Sequence, residues 1–121
     1  MNSRILIVDA QKEQAQLLKD ILESADFGYQ CRLADSLEQV KDRLRAKNID
    51  VMLVDHALPE ERLYEKLQRL KLKNRAVRMI MLADEISPEE AVKARDHFME
   101  GFCSKSEDYP ALINTIEQVI E

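Results

Sequence analysis

Five short apolar runs, none with the three-and-four spacing of a helix, punctuate this chain: Ile5 to Val8, Tyr29 to Ala34, Val51 to Val54, Met79 to Ala83, and Phe102 with Cys103. The segments ILIV, VMLV and MIML are apolar at every position. A strand with one face in water alternates polar and apolar residues, so these read as strands covered on both faces. The stretches between them follow a helical period. Leu17, Leu18, Ile21, Leu22 and Ala25 mark a first helix, Leu37, Val40 and Leu44 a second, and Leu63, Leu67 and Leu70 a third. Ala91, Ala94 and Phe98 carry the fourth, and Leu112, Ile113, Ile116, Val119 and Ile120 the last. Each set makes one apolar stripe. Start signals agree. Ser36 with Gln39 is a capping-box pattern, and Ser87-Pro88-Glu89-Glu90 supplies a cap, a first-turn proline and two acids at the positive end of a helix.

Strict alternation of strand and helix, with right-handed crossovers, gives a parallel sheet wound on both faces. Five strands and five helices fit a three-layer α/β/α sandwich with the flavodoxin-like strand order 2-1-3-4-5. The 121 residues suit one domain over 1–121, and an effector domain would lie beyond residue 121. Gly28 and Gly101 are the only glycines, so neither a GxGxxG nor a GxxxxGK[ST] phosphate cradle exists. A net charge of -5 argues against nucleic acid as a partner, because such domains need a basic face to displace counterions. Lys66, Arg69, Lys71, Lys73, Arg75 and Arg78 do cluster, but Leu67, Leu70 and Leu72 are interspersed among them, as on the solvated side of a helix. No apolar run approaches the roughly 20 residues that cross a bilayer, and MNSRILIVD has no signal-peptide core, so the expected location is the cytoplasm, away from membranes. Cys31 and Cys103 lack CxxC spacing and read as thiols buried in strands.

In a doubly wound sheet ligands bind beyond the C-terminal strand ends where the order reverses, between strands one and three. Asp9 follows ILIV and Asp55 follows VMLV, so two carboxylates should converge there. Asp9 taken alone is equally a helix cap. Lys105, just after the fifth strand, can offset clustered negative charge or hold a phosphoryl oxygen; by itself it is an ordinary surface lysine. His56 and His97 have no metal-ligand spacing with another His or Cys and receive no role.

The series ILIVD, then D-V-M-L-V-D-x-x-x-P with Asp55 and Pro59, then an apolar fourth strand and F-x-x-K with Phe102 and Lys105, resembles the receiver domain of two-component response regulators over essentially the whole chain. The resemblance implies that Asp55 is the phosphoacceptor and that Asp9 belongs to an acidic Mg²⁺ pocket, together with Asp55 and the backbone carbonyl of Ala57. It implies that Lys105 is the charge partner of the phosphorylated site and Phe102 the aromatic that changes rotamer on activation. Phosphoryl transfer to a carboxylate needs a metal ion and fixed donors to draw charge off the equatorial oxygens, so each absent group should tell.

Three positions depart from the family pattern. Ala10 stands in place of an acidic metal ligand, which should weaken Mg²⁺ binding. Ala83 replaces the hydroxyl residue that bonds the phosphoryl group, and Asp84 follows it, either pointing away as a loop acid or turning inward to replace the carboxylate lost at Ala10. Ser106 replaces a proline whose preceding bond is cis, so a trans peptide is expected there. The leading expectation is a divergent receiver acting as a regulatory signalling and protein-interaction module, with phosphorylation at Asp55 weakened or lost and no enzymatic activity beyond that site's own. Its partners would be a histidine kinase or another signalling protein. Lys93, Arg95, Asp96, Glu107 and Asp108 offer both signs of charge for a homodimer through the fourth helix, fifth strand and fifth helix. A conventional Mg²⁺-dependent phosphoacceptor is the alternative, and a flavodoxin-like small-molecule binder a third.

Overall fold

The computed structural model describes residues 3–46, 48–85, 87–105 and 108–121. Strand and helix alternate along the chain as β1 (Arg4–Val8), α1 (Lys12–Glu23), β2 (Gln30–Ala34), α2 (Leu37–Ala46), β3 (Val51–Asp55), α3 (Leu63–Lys73), β4 (Arg78–Ala83), α4 (Pro88–Asp96), β5 (Gly101–Ser104) and α5 (Tyr109–Ile120). The strands form one sheet in the order β2-β1-β3-β4-β5, with each neighbouring pair parallel. Fold class, strand order and helix count therefore match the expectation from the sequence. No described helix is long and apolar enough to cross a membrane.

The all-apolar strands divide their side chains between two cores. Leu6, Val8, Met52, Val54, Met79 and Met81 lie under Val40 of α2, Leu63 and Leu67 of α3 and Ala94 of α4. Ile5, Ile7, Val51, Leu53, Ile80 and Leu82 lie under Ala15 and Leu22 of α1 and Leu112 and Ile116 of α5. Burying such a side chain contributes about 1.5–3 kcal/mol, so the double coverage makes the three central strands a rigid base for the loops at their ends. Gly101 lets α5 sit close on β5: a Cβ there would meet Thr115 Cγ2 at 3.2 Å.

Caps form largely as read. The Glu90 N–H donates to Ser87 Oγ at 3.1 Å, and the Gln39 N–H to Ser36 Oγ at 3.2 Å. The return half of the Ser36 box shifts by one residue, since Gln39 Oε1 accepts the N–H of Asp35 instead. Asp108 caps α5 by accepting from the Ala111 N–H at 3.2 Å. Both cysteines are buried, in β2 and β5.

Four expectations need correction. Leu17 is 55% exposed, because the buried stripe of α1 runs through Ala15 and Leu22 and passes it by. Ala25 lies beyond the end of α1 at Glu23. Phe98 is no part of α4: it lies past the helix with φ 68° and is 45% exposed. The N–H of Phe98 bonds the Arg95 carbonyl and that of Met99 the Ala94 carbonyl, a Schellman closure that buries Met99 in its stead. Finally, the basic cluster is not one helix face. Arg75 and Arg78 follow α3, and Lys71 is buried, donating to the Val77 carbonyl and pairing with Glu100 Oε1 at 2.7 Å.

Candidate functional site

Val8 of β1 and Val54 of β3 are register partners, so the residues that follow them, Asp9 and Asp55, emerge side by side where the strand order reverses. Both are buried, Asp9 at 7% and Asp55 at 4% exposure. Each is held by its own turn: the Gln11 N–H donates to Asp9 Oδ1 at 2.8 Å and the Ala57 N–H to Asp55 Oδ1 at 2.9 Å. Any residue type supplies such an amide, so the sequence pattern alone did not reveal these donors. The N–H of Lys105 bonds the Ala83 carbonyl at 2.7 Å, which extends the β4–β5 ladder and sets the lysine at the crevice. Its Nζ lies 2.7 Å from Asp55 Oδ1.

Electrostatics at this site are unequal. Burial pushes the Asp9 carboxyl above the ordinary carboxylate value, helped by the charge of Asp55 and a hydrogen bond with it. The Gln11 amide and the Lys105 ammonium oppose that rise without cancelling it. Two adjacent buried acids and one ammonium therefore share a site in which Asp9 ionises less readily than an ordinary carboxyl.

Residues 5–117 match the response regulator receiver domain. The chain belongs to that family. Solved structures agree on the fold. A response regulator from Thermotoga maritima superposes with a TM-score of 0.88 at 16% identity, covering 99% of this chain and 98% of its own. The chemotaxis response regulator CheY4 of Vibrio cholerae gives 0.86 at 21%, with 98% and 99% covered. A CheY-like receiver domain protein from Methanospirillum hungatei gives 0.86 at 22%, with 99% and 94% covered. No curated protein matches the sequence.

Within this receiver domain, the structure brings together Asp9, Asp55 and Lys105, with Ala57 beside Asp55 in the turn that follows β3. Ala10 is exposed and offers only a methyl group in the loop after β1. Ala83 is buried at the end of β4 and presents no hydroxyl. Asp84 is exposed, and its carbonyl accepts a bond from Ser104 Oγ at 3.3 Å. Among the described residues no three His, Cys, Asp or Glu side chains gather into a cluster able to hold a metal, so Asp84 does not join Asp9 and Asp55 in one. Tested against the oxygen ligands that Mg²⁺ requires, the Asp9 and Asp55 carboxylates and the Ala57 carbonyl fit in kind. Phe102 is half-buried on β5, packed against the core beneath α2, α3 and α4. Ser106 and Glu107 lie outside the described residues.

One group near the site had no signal in the sequence. His56 Nε2 lies 3.1 Å from Glu90 Oε2 on α4. Tyr64 of α3 stands between the rings of His56 and His97, at centroid distances of 6.3 and 5.9 Å, with Lys93 Nζ 5.4 Å above its ring. The partners come from separate elements, and no local spacing marks such a cluster.

Proposed function

We propose that this receiver domain is a divergent one, a signalling and protein-interaction module in which phosphorylation of Asp55 is weakened. The carrying observation is the set of groups around Asp55. A single ammonium, Lys105, lies 2.7 Å away, while the flanking positions 10 and 83 carry only methyl groups. In phosphoryl transfer the Asp55 carboxylate would attack phosphorus while its leaving group departs in line, and charge spread over the three equatorial oxygens must be met by fixed partners. Lys105 would serve one of those oxygens, moving from Asp55 Oδ1 onto the new phosphoryl group. Mg²⁺, held by Asp9, Asp55 and the carbonyl of Ala57, would supply further charge neutralisation when bound. Burial raises the Asp9 carboxyl above its ordinary value and Ala10 contributes no carboxylate, so metal binding is expected to be weak. Ala83 leaves one equatorial oxygen without a hydroxyl donor.

The partner would be a histidine kinase or another signalling protein. Val92 and Phe98, 58% and 45% exposed in and just after α4, support a protein-binding role for that side of the molecule. The same side would serve a homodimer through α4, β5 and α5. Of the charges assigned to it, Lys93, Arg95, Asp96 and Asp108 are all exposed, Lys93 lying over Tyr64 and Asp108 capping α5, while Glu107 lies outside the described residues.

The conventional phosphoacceptor is the second reading, and the intact Asp55–Lys105 contact favours it. Incubating the protein with Mg²⁺ and a small phosphodonor, then weighing it intact, separates the two. The divergent reading expects a substoichiometric adduct, absent in Asp55→Asn. A stoichiometric adduct at ordinary Mg²⁺ concentrations would overturn it.

A further inference from the structure

The far end of the sheet carries a charge distribution that the receiver chemistry does not use. Arg4 at the start of β1, Lys19 of α1, Arg32 of β2 and Arg43 of α2 line one concavity of about 400 Å³ at the open edge beside β2. No Asp or Glu lines it. In a chain with 23 acids against 18 bases, four cations from four separate elements lining one concavity, with only Glu23 and Asp50 beside them, is the opposite of the overall bias. Among the described residues none of the four takes part in an ion pair. The two nearby acids are committed to backbone: Glu23 accepts the Cys31 N–H at 3.0 Å, and Asp50 accepts the Arg4 N–H at 2.7 Å.

Arg43 and Leu33 also border the concavity that holds Asp9, Glu13 and Asp35, while Arg4 lies at the opposite strand end. Arg4 pairs in register with Gln30 at one end of the β1–β2 ladder, while Val8 pairs with Ala34 at the end next to Asp9. That is about 13 Å of strand. The exposed edge of β2 is also closed to an added strand. Its outward Cys31 N–H is taken by Glu23, and its outward Leu33 carbonyl by Arg43 Nε at 3.2 Å. The bond to Leu33 has a second effect, because it fixes the Arg43 guanidinium against the wall of the concavity and lowers the entropy lost when an anion is bound.

We propose that this concavity binds a small molecule carrying two or more phosphoryl groups. Three guanidinium groups offer the planar, two-pronged donor geometry that phosphate oxygens accept, and Lys19 adds a point charge. A volume of about 400 Å³ is on the scale of a small-molecule site, and Leu33 and Ile49 give it an apolar flank. The concavity between α2 and α3 differs in that three acids, Glu38, Asp42 and Glu60, stand among its bases Lys41, Arg45, Lys66, Arg69 and Lys73.

The test is titration of the whole chain with inorganic pyrophosphate at low salt, followed by calorimetry and by amide chemical shifts. Shifts should concentrate around Arg4, Lys19, Arg32 and Arg43. Arg32→Glu and Arg4→Glu alter exposed side chains and should keep the native unfolding midpoint while weakening pyrophosphate binding about tenfold or more. Arg69→Glu makes the same change of net charge on exposed α3 and should change affinity less than about twofold. Citrate, a polycarboxylate of similar charge, should bind more weakly than pyrophosphate. No binding at millimolar pyrophosphate, an equal loss in Arg69→Glu, or citrate binding as tightly would each overturn the proposal.

Discussion

Replacing Lys105 by Met removes the cation from the acidic site while keeping most of its side-chain volume. Its Nζ lies 2.7 Å from Asp55 Oδ1, with the two side chains 19% and 6% exposed. At that separation and an effective dielectric of about 20, the attraction is about 6 kcal/mol. Desolvating the ammonium offsets roughly half of it, so the expected loss of stability near neutral pH is about 3 kcal/mol. The pH dependence is a sharper criterion than the size. Asp9 already holds its proton more tightly than an ordinary carboxyl, and without Lys105, whose charge opposes this, Asp9 does so further. The folded variant then binds more protons than the unfolded chain, so its stability falls as pH rises. The deficit relative to the parent protein should grow as pH rises above the unfolded Asp9 value of 3.8 and shrink as pH falls below it. Asp9→Asn should act in the opposite sense. It removes an acid whose ionisation burial disfavours, keeps an oxygen for the Gln11 amide, and so stabilises at neutral pH, an effect lost as pH falls to the unfolded value of 3.8. Urea unfolding followed by circular dichroism, with a chelator present, measures all of this. A Lys105→Met deficit under about 0.5 kcal/mol at neutral pH, a deficit that does not change with pH, or an Asp9→Asn Lys105→Met double variant no more stable than Lys105→Met alone would refute the reasoning.

Three other outcomes follow from particular contacts. Lys71→Met should cost about 3 kcal/mol, because it leaves Glu100 without its cation at a partly buried position; adding Glu100→Gln should recover part of it, as equilibrium unfolding will show. Phe98→Gly should raise stability by about 1 kcal/mol, since an exposed residue at φ 68° in a Schellman closure carries a left-handed strain that glycine lacks; the same unfolding assay checks it. Ala10→Asp should tighten Mg²⁺ binding by about an order of magnitude in calorimetric titration, by adding an anionic oxygen beside Asp9 and Asp55.

The framework was legible because its signals are local. Segments such as ILIV and MIML can be only doubly covered strands, and strict alternation then leaves few topologies. The same logic brought Asp9, Asp55 and Lys105 together, because each follows a strand whose place in the sheet was already set. The misreadings arose where local pattern and tertiary demand part. Periodicity extended α4 to Phe98 because no glycine announced the stop, whereas the structure closes the helix on a non-glycine residue and buries Met99. Lys71 belonged by type to a solvated face, yet its Nζ reaches the Val77 carbonyl and Glu100, partners from outside its helix. His56 and Glu90 are 34 residues apart, and nothing in either neighbourhood points to the other.

The groups at the acidic site support the proposed function as a set. In a pocket with three carboxylates, one lysine leaves a large negative excess, and a divalent cation becomes the cheapest way to neutralise it. Ala10 lowers the excess by one charge, and burial makes ionisation of Asp9 less favourable than that of an ordinary carboxyl. Lys105 lies 2.7 Å from Asp55 and pairs with it directly. Such a pair is balanced without a metal, and a phosphoryl group entering it would add about two negative charges with a single cation to meet them. The substitutions at positions 10 and 83 are therefore consistent with each other. Under the proposed function, one would reduce the demand for Mg²⁺ and the other would remove a donor that only a phosphorylated Asp55 uses, so that the state of the domain would be set by its partners more than by phosphate.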